Sequence, residues 1–84
     1  MTDRKQVPLT LLKAGQGGKV VQVQGGMGLV NRLSALGIRP GKRITKVSSM
    51  MMRGPVTVQV NGTQVAMGFG MARRVIVEIG DAAG

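Results

Sequence analysis

Short apolar runs separated by glycine fill this chain, and their spacing predicts a series of strands interrupted by one helix. "VPLTLLKAG" ends on Gly15 and has room only for a short turn of helix, with Leu9, Leu11 and Leu12 available to close one end of a core. In "GKVVQVQGG" the alternation of Val21, Gln22, Val23 and Gln24 has the period of a half-buried strand, and Gly25-Gly26 stops it. "MGLVNRLSALG" places Leu29, Leu33 and Leu36 at i, i+4 and i+7, flanked by Met27 and Val30, which makes it the expected helix. Gly37 supplies the left-handed position that ends such a helix, and Pro40 follows where it no longer disrupts the hydrogen-bond ladder.

"KRITKVSSM" is a weaker strand, because Ile44 and Val47 point to opposite faces unless a bulge intervenes. The clearest signal is "PVTVQVNGTQVAMG", where two alternating runs flank Asn61-Gly62, the residue pair of a two-residue hairpin turn. After the turn "GFGMA", Val75, Val77 and Ile79 alternate in a last strand. The expected fold is mainly β: about five strands with one short α-helix between the first two, closed into a small barrel that removes most exposed edges.

At 84 residues this is one domain, and without cysteine neither a disulfide nor a thiolate metal site supplements its core. No apolar run approaches the roughly 18 residues of a membrane span. The start, "MTDRKQVPLT", lacks the apolar stretch of a signal peptide, so the expectation is a cytoplasmic protein.

Charge is more informative. Lysine and arginine number 12 against 3 acids, and those acids, Asp3, Glu78 and Asp81, leave nothing negative from Arg4 to Val77. Such a cationic body favours polyanions, an anionic membrane surface or an acidic partner protein. Nucleic acid is the rival partner class, since RNA or single-stranded DNA suits small basic barrels. Base-stacking platforms need aromatic side chains, however, and Phe69 is the single aromatic residue. Nucleic acid is therefore not the expected partner.

Catalysis finds no support. With no histidine or cysteine, and carboxylates only at the ends, there is no general base, no paired nucleophile and no metal cage, and no cofactor is expected. Neither Gly15-Gln16-Gly17-Gly18 nor Gly25-Gly26 leads into the Lys-Ser/Thr of a phosphate-binding loop. Met50, Met51 and Met52 offer thioethers that suit a soft ion such as Cu(I) rather than ferrous iron. Beside Arg53, Gly54 and Pro55 they read instead as an exposed apolar contact loop, with Met50 and Met52 facing one way, and such a patch also favours self-association.

In "RLSALGIRPGKRI" backbone geometry accounts for Gly37, Pro40 and Gly41, as it does elsewhere for Gly54, Pro55, Asn61 and Gly62. It does not account for Arg32, Arg39, Lys42 and Arg43. These four, with Met50, Met52 and Arg53, are the candidate partner-binding residues.

Leu9, Leu12 and Gly15, then Arg32, Leu33, Leu36, Gly37, Ile38, Pro40 and Gly41, then Gly54-Pro55, then Ala72, Val75 and Val77, stand in the order and separations of the FeoA family. The chain resembles that family over roughly residues 8–79, with 1–7 and 80–84 as tails. The resemblance implies an SH3-like barrel. It also implies a non-enzymatic cytosolic adaptor in bacterial ferrous iron uptake, acting at the inner face of the membrane. The implied partner is the large membrane transporter of that system, whose cytosolic part is a GTPase. The same fold forms the C-terminal module of some metal-dependent repressors, but at this length their DNA-binding domain is not expected here. The methionine-rich loop departs from the Ala-Pro-type loop usual in the family.

Overall fold

The computed structural model describes residues 5–49 and 54–80. Six strands, β1 (Lys5–Pro8), β2 (Gly17–Val23), β3 (Arg43–Ser49), β4 (Val56–Val60), β5 (Thr63–Met67) and β6 (Val75–Ile79), form one sheet. Its order is β1-β6-β2-β3-β4-β5, and every neighbouring pair is antiparallel. Helix α1 (Met27–Ala35) links β2 to β3, and a four-residue helix α2 (Phe69–Ala72) links β5 to β6. Inward side chains from β2 through β6 meet in a single core, which is how a bent sheet buries one face without a second layer.

The Asn61-Gly62 hairpin forms as expected. Both residues have positive φ, 54° and 77°, as a type I′ turn demands, and β4 and β5 pair in register from Val60↔Thr63 to Val56↔Met67. Val56, Val58 and Val60 are all buried while Gln59 faces solvent.

Elsewhere bulges reset the phase. Between Val20 and Gln22 the pairing of β2 with β6 shifts, so Val20 is the fully buried residue and Val21 and Val23 are half-buried. The alternation expected from Val21 and Val23 is therefore displaced by one position at its start. A second bulge, between Lys46 and Ser48, resolves the Ile44/Val47 conflict: Ile44 and Lys46 both point inward and Val47 sits half-buried beyond them.

Three further features differ from the sequence reading. Lys5–Pro8 pairs with β6, from Lys5↔Ile79 to Pro8↔Ile76, so the strand count rises to six and the sheet reaches into the segment assigned to the N-terminal tail. Proline is tolerated there because β1 is an edge strand. Leu9 and Leu12 enter the core from a 3-10 turn at Leu9–Leu11, but Leu11 is 67% exposed. In α1 Leu33 is buried and Leu29 half-buried, whereas Leu36 is 44% exposed, because the helix ends at Ala35 and the chain turns away.

Candidate partner-binding surface

The end of α1 fixes where the cations lie. The Ile38 amide donates to the Leu33 carbonyl and the Gly37 amide to that of Ser34, the paired bonds of a Schellman stop, with Gly37 at φ 91°. Leu33 and Ile38, the two apolar residues that bracket this stop, are both fully buried. The chain leaves the helix in one direction, into a tight turn at Arg39-Pro40-Gly41-Lys42. There the Lys42 amide donates to Arg39 O at 3.1 Å and Gly41 has φ 96°, the geometry of a type II turn. Two more hydrogen bonds of 2.8 Å, Gly41 N to Val20 O and Val20 N to Lys42 O, clamp the turn onto β2.

Arg39 and Arg43 are exposed and Lys42 is half-exposed, so the clamped turn displays three cations on backbone that cannot swing away. The register adds a fourth: exposed Lys19 on β2 stands opposite Arg43 on β3. On its other side Lys19 faces Glu78 of β6, the one acidic residue among those described. Like charges directly across a strand pair are unfavourable. The fold holds Lys19 and Arg43 together all the same.

Arg32 is exposed in the last turn of α1, where a cation also complements the carbonyl end of the helix dipole. Met50, Met52 and Arg53 lie outside the described residues. Gly54 is half-buried and Pro55 exposed, leading into β4. Arg43 and Ser49, at opposite ends of β3, are about 20 Å apart at the usual strand rise.

Two depressions mark the described surface. One of about 400 Å³ runs between the end of α1 and the β4–β5 hairpin, and brings exposed Leu36 beside Arg39, Asn61 and Val65. The other, of about 650 Å³, is lined by Leu29, Phe69, Met71, Arg73 and Arg74 with Gly68 and Gly70. Phe69 is half-buried there.

Sequence reasoning missed Lys19, Lys46, Arg73 and Arg74. Lys46 is only 4% exposed, and its ammonium donates to Leu12 O at 2.6 Å and Thr10 O at 3.2 Å. Desolvation on burial pushes its pKa below the ordinary lysine value. Its position two residues from Ile44, on the inward phase of β3, is the signal that could have singled it out. Among the described residues no group of three or more His, Cys, Asp or Glu side chains could hold a metal ion, and no helix is long and apolar enough to cross a membrane.

The FeoA domain family matches residues 7–79 of this chain. A Methanocaldococcus jannaschii protein whose name provisionally gives it as Fe(2+) transport protein A is 31% identical over 71 residues, covering 84% of each chain. Among solved structures, a crystal structure of an iron uptake regulatory protein, FeoA, superposes with a TM-score of 0.79 at 37% identity, covering 87% of this chain and 95% of that one. The solution structure of FeoA from Chlorobium tepidum gives a TM-score of 0.80 at 27% identity, covering 87% of this chain and 70% of that one. A manganese-dependent transcriptional repressor shares the fold alone, with a TM-score of 0.80 at 17% identity, over 89% of this chain and 42% of that one. The sheet is the SH3-like barrel common to the FeoA structures.

Proposed function

The chain belongs to the FeoA family, and from that premise we propose that it serves ferrous iron transport as a non-enzymatic cytosolic regulator. It acts by contact with the cytosolic GTPase part of the membrane ferrous iron transporter. The observation that carries this mode of action is the clamped turn. Arg39, Lys42 and Arg43 are carried on a turn whose backbone is held to β2 by hydrogen bonds, and Lys19 stands beside them across the β2–β3 pair. A preorganised cationic surface loses little conformational freedom on binding, and its field steers an acidic partner into register. Leu36, exposed next to Arg39, adds the apolar centre that a polar rim alone lacks.

Regulation requires unequal affinity for two states of the partner. A contact made to one nucleotide state of the GTPase and lost in the other biases its cycle, with the barrel supplying no reacting group. The membrane face, anionic and close to the partner, adds attraction for the same cations.

The test is titration of the purified protein against the soluble cytosolic domain of the transporter in its GTP-bound, GDP-bound and empty states. Binding that differs among the states, with a change in GTP turnover, is expected. Equal affinity for all three states, or no binding at low salt, overturns the proposal.

A further inference from the structure

The second depression shares no lining residue with the clamped turn and has its own chemistry. Its apolar lining comes from Leu29 of α1 with Phe69 and Met71 of α2, and Arg73 and Arg74 stand at its rim, both exposed. Its frame is fixed. Ala72 is fully buried, the Gln24 amide donates to Arg74 O at 2.7 Å, and Val23 pairs with Val75, which ties the end of α2 to β2. On the α1 side Gly25 has φ 147°, and a Cβ there would lie 2.8 Å from Leu29 Cδ2, so glycine lets the chain enter α1 against the Leu29 side chain. At about 650 Å³ the groove is in the size range that takes a small ligand or a few peptide side chains.

We propose that this groove is a docking site for an acidic amphipathic segment of a partner protein, whose apolar side chains seat on Leu29, Phe69 and Met71 while its carboxylates meet Arg73 and Arg74. Two adjacent guanidinium groups border the groove, and Glu78, the one acid among the described residues, stands across from Lys19 at the far end of β6. Arginine forms bidentate bonds with carboxylates, and methionine adapts to the shape of what it covers. Nucleic acid fits less well, because one half-buried aromatic ring in an apolar groove offers no stacking platform. A bilayer surface fits less well because the groove is concave. The inference does not depend on the identity of the transporter.

The experiment uses the full chain and a synthetic helical peptide with leucine every three or four residues and glutamate between them. Amide chemical shifts are recorded alongside affinity. Perturbations centred on Leu29, Phe69, Met71, Arg73 and Arg74 are expected. The affinity should fall about tenfold or more in the Arg73→Glu/Arg74→Glu double variant. It should fall as well for a peptide with glutamine in place of glutamate. The two arginines are exposed, so the variant is expected to keep its fold, and an unchanged melting curve checks this. Perturbations centred on Arg39 to Arg43, equal binding by the glutamine peptide, or no binding overturn the proposal. So does selective loss of phosphatidylglycerol-vesicle binding in the double variant without any effect on the peptide.

Discussion

The Lys46 ammonium donates a 2.6 Å hydrogen bond to the carbonyl of Leu12, thirty-four residues earlier in the chain. A second bond, of 3.2 Å, reaches Thr10 O. Strand β3 thereby holds the 3-10 turn whose Leu9 and Leu12 close the core. The Gly15 amide, donating to Lys46 O, and the Lys46 amide, donating to Gln16 O, secure the same junction through the backbone.

Lys46→Met keeps the length and apolar stem of the side chain but leaves two carbonyls without this donor. Losing a partner from a buried acceptor costs about 1–3 kcal/mol. At about 4–8 °C per kcal/mol for a domain of this size, melting should fall by several degrees or more. A melting temperature equal to wild type would show that water replaces the ammonium without loss.

The same residue sets a pH dependence. Burial lowers the folded-state pKa of Lys46 below its ordinary 10.5, so in the window between the lowered value and 10.5 the unfolded chain binds more protons than the folded one. Stability from this group therefore rises with pH through that window, and the burial penalty is present in full below it. Urea titrations of wild type and Lys46→Met across the alkaline range should show the gap in favour of wild type widening. A narrowing gap would mean that the carbonyls favour the charged form more strongly than burial opposes it.

Gly37 meets the hairpin turn from behind. A Cβ added there would lie 3.0 Å from Asn61 Nδ2, at a φ of 91° that a side chain rarely adopts. Gly41 has a similar φ but nothing within 4 Å. Both alanine variants should lose about 1–2 kcal/mol from backbone strain, with Gly37→Ala the worse of the two. The excess should shrink in an Asn61→Gly background, and a double-mutant cycle measures it.

In the 3-10 turn the leucines divide by burial. Leu9→Ala should cost about 2–5 kcal/mol, because Leu9 is fully buried. Leu11→Ala should stay within about 0.5 kcal/mol, because Leu11 is mostly in solvent. Chemical denaturation of the two single variants checks the contrast, and equal losses would contradict it.

Replacing Arg39, Lys42 and Arg43 with glutamate should leave the fold intact and weaken association with the transporter's cytosolic domain. Wild-type association should weaken steeply with added salt, and that of the triple variant should not. Arg43→Glu alone should slightly raise the melting temperature at low salt, because it turns the cross-strand neighbour of Lys19 from a like charge into an opposite one. Partner binding unchanged across the salt series would remove the turn from the interface.

Features whose physics is local can be read straight from the chain. Asn61-Gly62 turns the chain because both positions need positive φ, a demand the two residues meet without help from elsewhere. Gly37 stops α1, and Pro40-Gly41 makes the next turn, for equally local reasons, which is why the placement of Arg39, Lys42 and Arg43 at a surface corner was legible. Features that depend on distant partners emerge only in the folded molecule. Lys5–Pro8 has no strand pattern of its own and becomes β1 only because β6 offers an edge. The phase of β2 rests on a bulge set by its pairing with β6. Leu11 and Leu36 carry the same side chain as Leu9 and Leu33, yet remain exposed because none of the described elements covers them. Lys46 turns inward with Ile44, and an ammonium is tolerated there because two carbonyls from a turn more than thirty residues away are in place to receive it.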